Sequence, residues 1–231
     1  MRIIPPKAEA IAYHGWAFDR YCWHPWQDRF AEQGIPLRAF DRGYFGAPTQ
    51  PTFEYPSSQK IILAHSYGLH LCPSQQLRAA DLIIVFGGFQ RFHPPNRPGY
   101  SQAERRSRRV LQQMIRQLDR VPEQVLEAFW QNCGLPPEHW PNASARVLQP
   151  LAHDLRDLDH SLLCVEFLAR RPKVLILHGR EDAIAPLSQG QDLAQALFNN
   201  AEWFALDGPH ALPFTQVDAC WNAIGAFIQF G

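Results

Sequence analysis

The sequence lacks several features that would place it outside the ordinary globular proteins. No apolar run approaches the roughly 18 residues of a membrane span, and 22 basic residues balance 22 acidic ones. The five cysteines form no Cys-x-x-Cys pair, which argues against a disulfide framework and against a zinc site. The first residues, MRIIPPKAEA, lack the apolar stretch of a signal peptide. We therefore expect a cytoplasmic protein without membrane contact.

Cofactor motifs are also missing. The sequence contains no Gly-rich phosphate loop, no dinucleotide-binding fingerprint and no His/Cys spacing typical of a metal site. We therefore expect neither a cofactor nor a metal. Its 231 residues, 46% of them hydrophobic, are enough to bury a substantial core.

Short apolar runs alternate with helical patterns, which is typical of parallel βαβ units. The predicted strands are Glu9–Tyr13, Pro36–Phe40, Lys60–Ala64, Leu82–Phe86, Lys173–Leu177 and Glu202–Leu206. The predicted helices between them are Trp23–Gln33, Tyr67–Ala79, Leu187–Asn199 and Val217–Gln229. From Phe89 to Arg171 the pattern is helical and interrupted by Pro-rich joints. The sequence thus predicts an α/β core, residues 1–88 and 172–231, with a helical cap, residues 89–171, inserted between two sheet strands.

A candidate nucleophile lies in the segment KIILAHSYGLHL, residues 60–71. Ser66 follows an apolar run and precedes a helical pattern, with Ala64 two residues before it and Gly68 two residues after it. A serine on a tight turn from strand to helix needs small residues at those two positions, because the strained backbone leaves no room for larger ones. The alternative is a serine that only caps a helix.

An acid and a base follow Ser66 along the chain. Asp182 lies in a loop just past the strand in KVLILHGREDAIAP, and His210 lies after the next strand, in EWFALDGPHALPF. His210 is suited to take the proton of Ser66, and Asp182 to hold the imidazole and stabilise its charged form. Glu181 is the rival acid; Asp207 is too close to His210 in sequence to orient it naturally.

The segment AIAYHGWAFD, residues 10–19, supplies the remaining part of the predicted site. Acyl transfer develops a negative oxygen, which backbone N–H groups can stabilise. We expect the N–H groups of Trp16 and Tyr67 to form this oxyanion hole, and the Trp16 side chain to wall the pocket. His14 is expected to order the loop, and His65 to point away from the site.

Together, HGW after the first strand, AHSYG, HGREDAIAP and GPHALPF resemble the α/β-hydrolase family, in which nucleophile, acid and histidine follow in this order. The HGW loop and the small cap are most similar to the pimeloyl-acyl-carrier-protein methyl ester esterases of biotin synthesis. The resemblance implies an α/β-hydrolase fold with a helical cap insertion, and the six predicted strands indicate a trimmed, mostly parallel sheet of about six strands. It also implies a serine carboxylesterase without a cofactor. The early start of the first predicted strand, at Glu9, leaves no room for the family's leading hairpin.

The cap carries an unusual excess of arginine. Between residues 91 and 120 there are eight arginines and two acids. On a helix, Arg105, Arg109, Arg116 and Arg120 share one face, which we call the arginine stripe. The opposite face is expected to pack down on the protein through apolar side chains: Val110, Leu111, Met114, Ile115 and Leu118.

The arginine stripe is either a solvated face or a binding surface for an anionic partner. Acyl carrier proteins are acidic, so the resemblance suggests one as the partner that carries the substrate. RNA is less suitable, because the stripe has no interleaved aromatic residues for base stacking, and we expect no nucleic-acid partner. Phe129 and Trp130 lie further along the cap and line either an acyl tunnel or the cap core.

The sequence therefore supports three functional hypotheses. The main one is an esterase that acts on an acyl ester, the methyl ester of pimeloyl-acyl-carrier protein above all, and also on small ester substrates. The second is a thioesterase or short-chain carboxylesterase with the same site. The third is a protein of this fold that binds a ligand or partner without catalysis.

Overall fold

The computed structural model describes residues 6–94, 101–166, 168–169 and 172–227. Six strands in this part of the chain form one sheet, and all neighbouring strands run parallel. They are β1 (Ala8–Tyr13), β2 (Leu37–Ala39), β3 (Gln59–His65), β4 (Leu82–Phe86), β5 (Lys173–Gly179) and β6 (Ala201–Leu206). Their order across the sheet is β2-β1-β3-β4-β5-β6. The predicted six-stranded parallel sheet is confirmed.

Helices cover both faces of the sheet, so its central strands are apolar on both sides. Alternate residues of β3 belong to different cores, because successive side chains of a strand point to opposite faces. Leu63 packs in a cluster with Trp26 and Phe30, whereas Ile62 packs in a second cluster with Leu193. The sheet is thus held between two apolar layers.

The nine α-helices of the described residues are α1 (His24–Glu32), α2 (Gly68–Leu71), α3 (Ser74–Ala79), α4 (Ser101–Leu118), α5 (Pro122–Asn132), α6 (Leu148–Leu158), α7 (Leu187–Ala196), α8 (Leu212–Thr215) and α9 (Val217–Phe227). The single helix predicted over Tyr67–Ala79 is wrong, because Cys72 is extended, with ψ of 125°, before Pro73. A residue before proline disfavours the helical region, and proline lacks an N–H to continue the helix. None of these helices has the length and apolar character to span a bilayer.

Helices α4, α5 and α6 lie between β4 and β5 along the chain, in the region predicted as a cap. A buried apolar cluster joins them to the loops at the carboxyl ends of the strands, since Leu126 and Leu155 pack in one cluster with Phe18 and Tyr67. Residues 95–100, which include Arg97, lie outside the described part, as do the predicted helix end at Gln229 and the predicted boundary residue Arg171. The core and cap boundaries stay a prediction.

Helix α4 buries most of its predicted apolar face. Leu111 and Leu118 are buried, whereas Val110 is 52% exposed, so its predicted burial is wrong. At 100° per residue, Val110 points a quarter turn or more away from Leu111 and lies at the margin of the packed face.

A buried ion pair fastens the cap to the core. Asp154 of α6 is 2% exposed and accepts two hydrogen bonds from Arg42, at 2.6 Å from Nε and 2.8 Å from Nη2. The hydroxyl of Tyr44 donates a third bond to it at 2.7 Å. Burial alone would raise the pKa of Asp154, but these partners lower it below its ordinary value. Arg42 and Tyr44 belong to the loop after β2, so the pair joins this loop to the cap.

We therefore predict that Asp154→Asn lowers the free energy of unfolding by about 2–4 kcal/mol, because Arg42 loses its ionic partner in a partly buried position. Asp157→Asn is the matched control on the same helix, since its side chain is 57% exposed, and we expect a change below about 0.5 kcal/mol. Urea denaturation of both variants measures the difference. Equal values for the two would contradict the structural role of Asp154.

Candidate functional site

Ser66 lies on the turn between β3 and α2. Its φ is +53°, in the left-handed region that residues other than glycine seldom adopt. Its N–H donates to the carbonyl of Phe86 at the end of β4, at 2.9 Å. The strained turn is thus held by the neighbouring strand, as expected for a serine presented at the end of a sheet strand.

Two glycines allow this turn to pack against the end of β1. A Cβ on Gly68 would lie 2.3 Å from the carbonyl oxygen of Tyr13 and 2.6 Å from that of His14. A Cβ on Gly15 would lie 3.0 Å from the Cβ of Ser66. The small residue predicted two positions after the serine is therefore required by backbone contact with β1.

His210 and Asp182 meet at the ends of the neighbouring strands. Nδ1 of His210 lies 2.7 Å from Oδ2 of Asp182, and both side chains are buried. A Cβ on Gly87 would lie 3.2 Å from each of these two atoms. Gly87 directly follows Phe86, whose carbonyl accepts the N–H of Ser66. The His210–Asp182 pair therefore lies next to the turn that carries the serine.

The environment of Asp182 favours its charged form. Burial would raise its pKa, but the histidines His210 and His178 lower the pKa well below its ordinary value. Its Oδ1 also accepts the N–H groups of Ile184 at 2.9 Å and Ala185 at 2.8 Å. The carboxylate is therefore ionised and held in one orientation.

The two rival acids are directed elsewhere. Glu181 is exposed. Asp207 is 89% exposed and forms a surface ion pair with Arg180 at 3.0 Å. Neither carboxylate is among the hydrogen-bond partners of His210 in the described residues. Asp182 is the acid that the structure brings to His210.

The second nitrogen of His210 is available for proton transfer. Nε2 is buried and has no hydrogen-bond partner among the described residues. With Nδ1 bonded to the carboxylate, Nε2 is the nitrogen that can accept a proton.

The predicted oxyanion donors are the N–H groups of Trp16, in the loop after β1, and of Tyr67, in the turn after β3. Neither the N–H of Trp16 nor that of Tyr67 donates to a backbone carbonyl within the described residues. Tyr67 directly follows Ser66, and Trp16 follows Gly15, which touches Ser66. In the described part of the chain these two peptide N–H groups thus lack a backbone acceptor, which is compatible with the predicted stabilisation of an oxyanion.

The predicted pocket residues lie in the apolar cluster between cap and core. Phe129 packs edge-to-face on Trp16, with ring centroids 4.8 Å apart. The indole of Trp16 donates to the carbonyl of Leu151 in α6 at 2.9 Å. The indole of Trp130 donates to the carbonyl of Ala17 at 2.8 Å. Phe129 thus faces the Trp16 loop, whereas Trp130 joins that loop to α5.

The site is closed in this structure. Ser66 is 6% exposed and His210 is fully buried. Two surface cavities, of about 220 Å³ and 420 Å³, are lined by other residues, around His93 and Gln189 in one case and around Tyr21 and Arg38 in the other. Neither of these cavities is lined by Ser66 or His210.

All four residues of the arginine stripe are exposed; Arg120 lies just past the end of α4. The ion pairs found around α4 in the described residues involve Arg108, with Glu104 and Asp159, and Arg156, with Asp119. The stripe therefore presents charge that these acids leave uncompensated.

Sequence reasoning missed two histidines of the site. His65 does not point away, because its Nε2 lies 3.0 Å from the carbonyl oxygen of His210. His178 of β5 lies with Nε2 2.8 Å from the carbonyl of Ala185 and 3.3 Å from Oδ2 of Asp182. His65 directly precedes Ser66, and His178 lies four positions before Asp182. This proximity is the only signal that the sequence offers. His14 orders its loop as expected, since its Nε2 accepts the N–H of Arg42 at 3.1 Å.

One cluster of side chains has ligand atoms of the kinds that metals prefer. Atoms of His153, Asp154 and Asp157 on α6 lie within 4.8 Å of one another. The oxygens of Asp154 are already bonded to Arg42 and Tyr44. The cluster is therefore explained by the ion pair that fastens the cap.

No protein-family model matches the sequence, and no curated protein matches it. Solved structures do match its fold. An esterase (EaEST) from Exiguobacterium antarcticum has a TM-score of 0.78 at 16% identity, over 98% of this chain and 93% of that one. The chain has the α/β-hydrolase fold. A bromoperoxidase from Bacillus anthracis (TM-score 0.74, 15% identity, 96% and 92% coverage) and MenH from S. aureus (0.70, 14%, 98% and 95%) are also similar.

The α/β-hydrolase fold explains where the site lies. The chain leaves β1 to form β2 on one side and returns to form β3 on the other, so a switch point lies between β1 and β3. Ligands of open α/β sheets bind at the carboxyl ends of strands at such a point. Ser66 follows β3 and the Trp16 loop follows β1, so both lie at this switch point.

The buried histidines predict how stability depends on pH. Burial lowers the pKa of His14 and of His70, the latter to about 4, and burial with the charge of His210 lowers that of His65. Their ordinary pKa is about 6.5, so below that pH the unfolded chain binds more protons than the folded one. As far as these histidines are concerned, the free energy of unfolding should therefore be constant between about pH 7 and 8 and fall below about 6.5.

His70 alone should account for about 2 kcal/mol of this loss at pH 5. Urea denaturation at pH 8, 6 and 5 measures the loss, and His70→Gln should remove that share of it. An unfolding free energy that stays constant from pH 8 to 5 would contradict the neutral state of these histidines.

Proposed function

We propose that this protein is a serine esterase with Ser66 as nucleophile, His210 as general base and Asp182 as the acid that orients it. The observation that carries the proposal is the 2.7 Å contact between His210 Nδ1 and Asp182 Oδ2, next to a serine with a left-handed backbone. Triads are recognised by such geometry and roles. The solved structures of similar fold include esterases, which supports the same reaction class.

The proposed reaction proceeds through an acyl-enzyme. His210 Nε2 takes the hydroxyl proton while Ser66 Oγ attacks the ester carbonyl, and the N–H groups of Trp16 and Tyr67 stabilise the negative oxygen. The tetrahedral intermediate then expels the alcohol, which receives the proton from His210. Water loses a proton to His210 and attacks the acyl-serine, and the returned proton restores Ser66. Asp182 stabilises the imidazolium in both halves.

We predict that Ser66→Ala loses about 10⁴-fold or more in kcat for a p-nitrophenyl ester, because the triad acts as a unit. Asp182→Asn should also lose activity strongly, whereas Glu181→Gln, its exposed neighbour, should remain near wild type. Hydrolysis assays and labelling by a fluorophosphonate probe, which reacts quickly only with an activated serine, measure the losses.

The same experiment separates the alternatives. Near-normal turnover by Ser66→Ala would overturn the nucleophile, and a larger loss in Glu181→Gln than in Asp182→Asn would overturn the acid. Failure of the wild-type protein to react with the probe would favour a binding protein without catalysis. Faster turnover of a thioester than of the matched oxygen ester would favour the thioesterase.

We further propose that the substrate is an acyl ester delivered by an acidic acyl-carrier protein, with the methyl ester of a pimeloyl chain as the specific candidate. The resemblance of the HGW loop and small cap suggests this substrate. The exposed arginine stripe supports it, because it offers a cationic face to an acidic partner. The apolar cluster around Trp16 and Phe129 supports it as well, since a displaced cap would expose an apolar path for an acyl chain.

Replacing all four residues of the arginine stripe by glutamate should raise KM for a carrier-linked ester by about 10-fold or more at low salt, and leave KM for a small neutral ester unchanged. The matched control replaces the same four residues by lysine, which keeps the charge. The effect should shrink between 0.1 M and 1 M salt, since the Debye length falls from about 10 Å to about 3 Å. Equal loss on both substrates would indicate a damaged cap, and no loss on either would leave a solvated face.

A further inference from the structure

His65 precedes the candidate nucleophile and reaches the candidate base. Its Nε2 lies 3.0 Å from the carbonyl oxygen of His210, and the two rings lie with centroids 4.8 Å apart. A carbonyl oxygen only accepts, so Nε2 of His65 carries the proton and donates it. The opposite nitrogen, Nδ1, is buried and has no partner among the described residues.

The hydrogen bond from His65 to His210 connects the candidate base to the turn of the candidate nucleophile. Ser66 and His65 share a peptide bond, so the hydrogen bond joins the backbone of His210 directly to the turn that carries the serine. Among the other hydrogen bonds of that loop, the one from the N–H of Ala211 to the carbonyl of Cys133 at 2.8 Å leads to the cap, and the one from the N–H of Glu181 to the carbonyl of Gly208 at 3.1 Å leads to the loop after β5. The bond from His65 is therefore a connection between base and nucleophile that does not depend on where the cap lies.

We propose that His65 is a positioning residue: its Nε2–H fixes the backbone of His210 relative to the turn that carries Ser66, and so holds the imidazole in place beside that turn. This inference rests on the proposed serine hydrolysis. Displacement of a reacting group by about 1 Å can cost about 100-fold in rate, so one hydrogen bond at this place affects catalysis more than it affects stability.

The surroundings of His65 suit a fixed, neutral donor. The rings of Phe18 and Phe214 pack edge-to-face on it, at 5.1 Å and 4.9 Å between centroids. Burial and the nearby charge of His210 hold the pKa of His65 well below its ordinary value. His65 therefore does not compete with His210 for the proton and does not repel the imidazolium that forms during the reaction.

The test compares His65→Gln with His65→Met. The two side chains have similar length and shape, but only glutamine carries an N–H donor near the position of Nε2. We expect kcat for a p-nitrophenyl ester to fall about 10- to 100-fold in His65→Met and to stay within about 3-fold of wild type in His65→Gln. KM should change little in either, and the shape of the pH profile should be kept, because His210 remains the base.

His70→Met is the matched control. The Nε2 of His70 also lies 3.0 Å from a backbone carbonyl, that of Phe89, so the variant loses a similar bond away from His210. It should lower the unfolding midpoint as much as His65→Met does, while kcat stays near wild type. If His65→Met does not fold, His65→Phe, which keeps a ring between Phe18 and Phe214 without the donor, takes its place with the same expectation.

The outcomes separate this inference from the proposed function. If the wild-type protein hydrolyses the ester and reacts with the fluorophosphonate, but His65→Met keeps its kcat, the positioning role is overturned alone. It is overturned as well if His65→Gln is as slow as His65→Met, because the hydrogen bond would then not be the cause. If the wild-type protein neither hydrolyses nor reacts, the proposed function and this inference are both overturned.

Discussion

Close backbone packing between the end of β1 and the turn after β3 is the constraint on which the site depends. A Cβ on Gly68 would clash with the carbonyls of Tyr13 and His14, so only glycine allows α2 to begin against the end of β1. The loop after β1 and the turn after β3 are therefore in direct contact. This packing places Gly15, the residue before Trp16, against Ser66. Its position at the switch between β1 and β3 is fixed by the strand order.

Several hydrogen bonds join the cap to the loops after β1 and β2, and they hold it over the candidate site. The indole of Trp16 is bonded to α6 and that of Trp130 to the loop after Trp16, while Arg42 holds Asp154 from the loop after β2. Any displacement of the cap would break or shift some of these bonds. Trp16, whose N–H is a candidate oxyanion donor, is thus bonded to the cap through its own side chain.

The strands, the parallel sheet and the residues that meet around His210 could be predicted because each depends on local signals. Apolar runs identify strands, and small residues around Ser66 mark the turn. The contacts of His65 and His178 could not be predicted, since they depend on which way a buried ring points after folding. The pairing of Arg42 with Asp154 links positions 112 residues apart, and no local pattern indicates it. The break at Pro73 was available in the sequence, because proline ends a helix by its own chemistry.

The histidines near Ser66 and Asp182 have different electrostatic roles. Asp182 brings one negative charge into an apolar interior, where two backbone N–H groups and two imidazoles compensate it. A second cationic histidine would compete with His210 for this charge. His65 and His14 avoid this competition because burial holds the pKa of each below its ordinary value. They act as neutral donors and acceptors, so neither adds to the two imidazoles that contact the carboxylate, that of His210 at 2.7 Å and that of His178 at 3.3 Å.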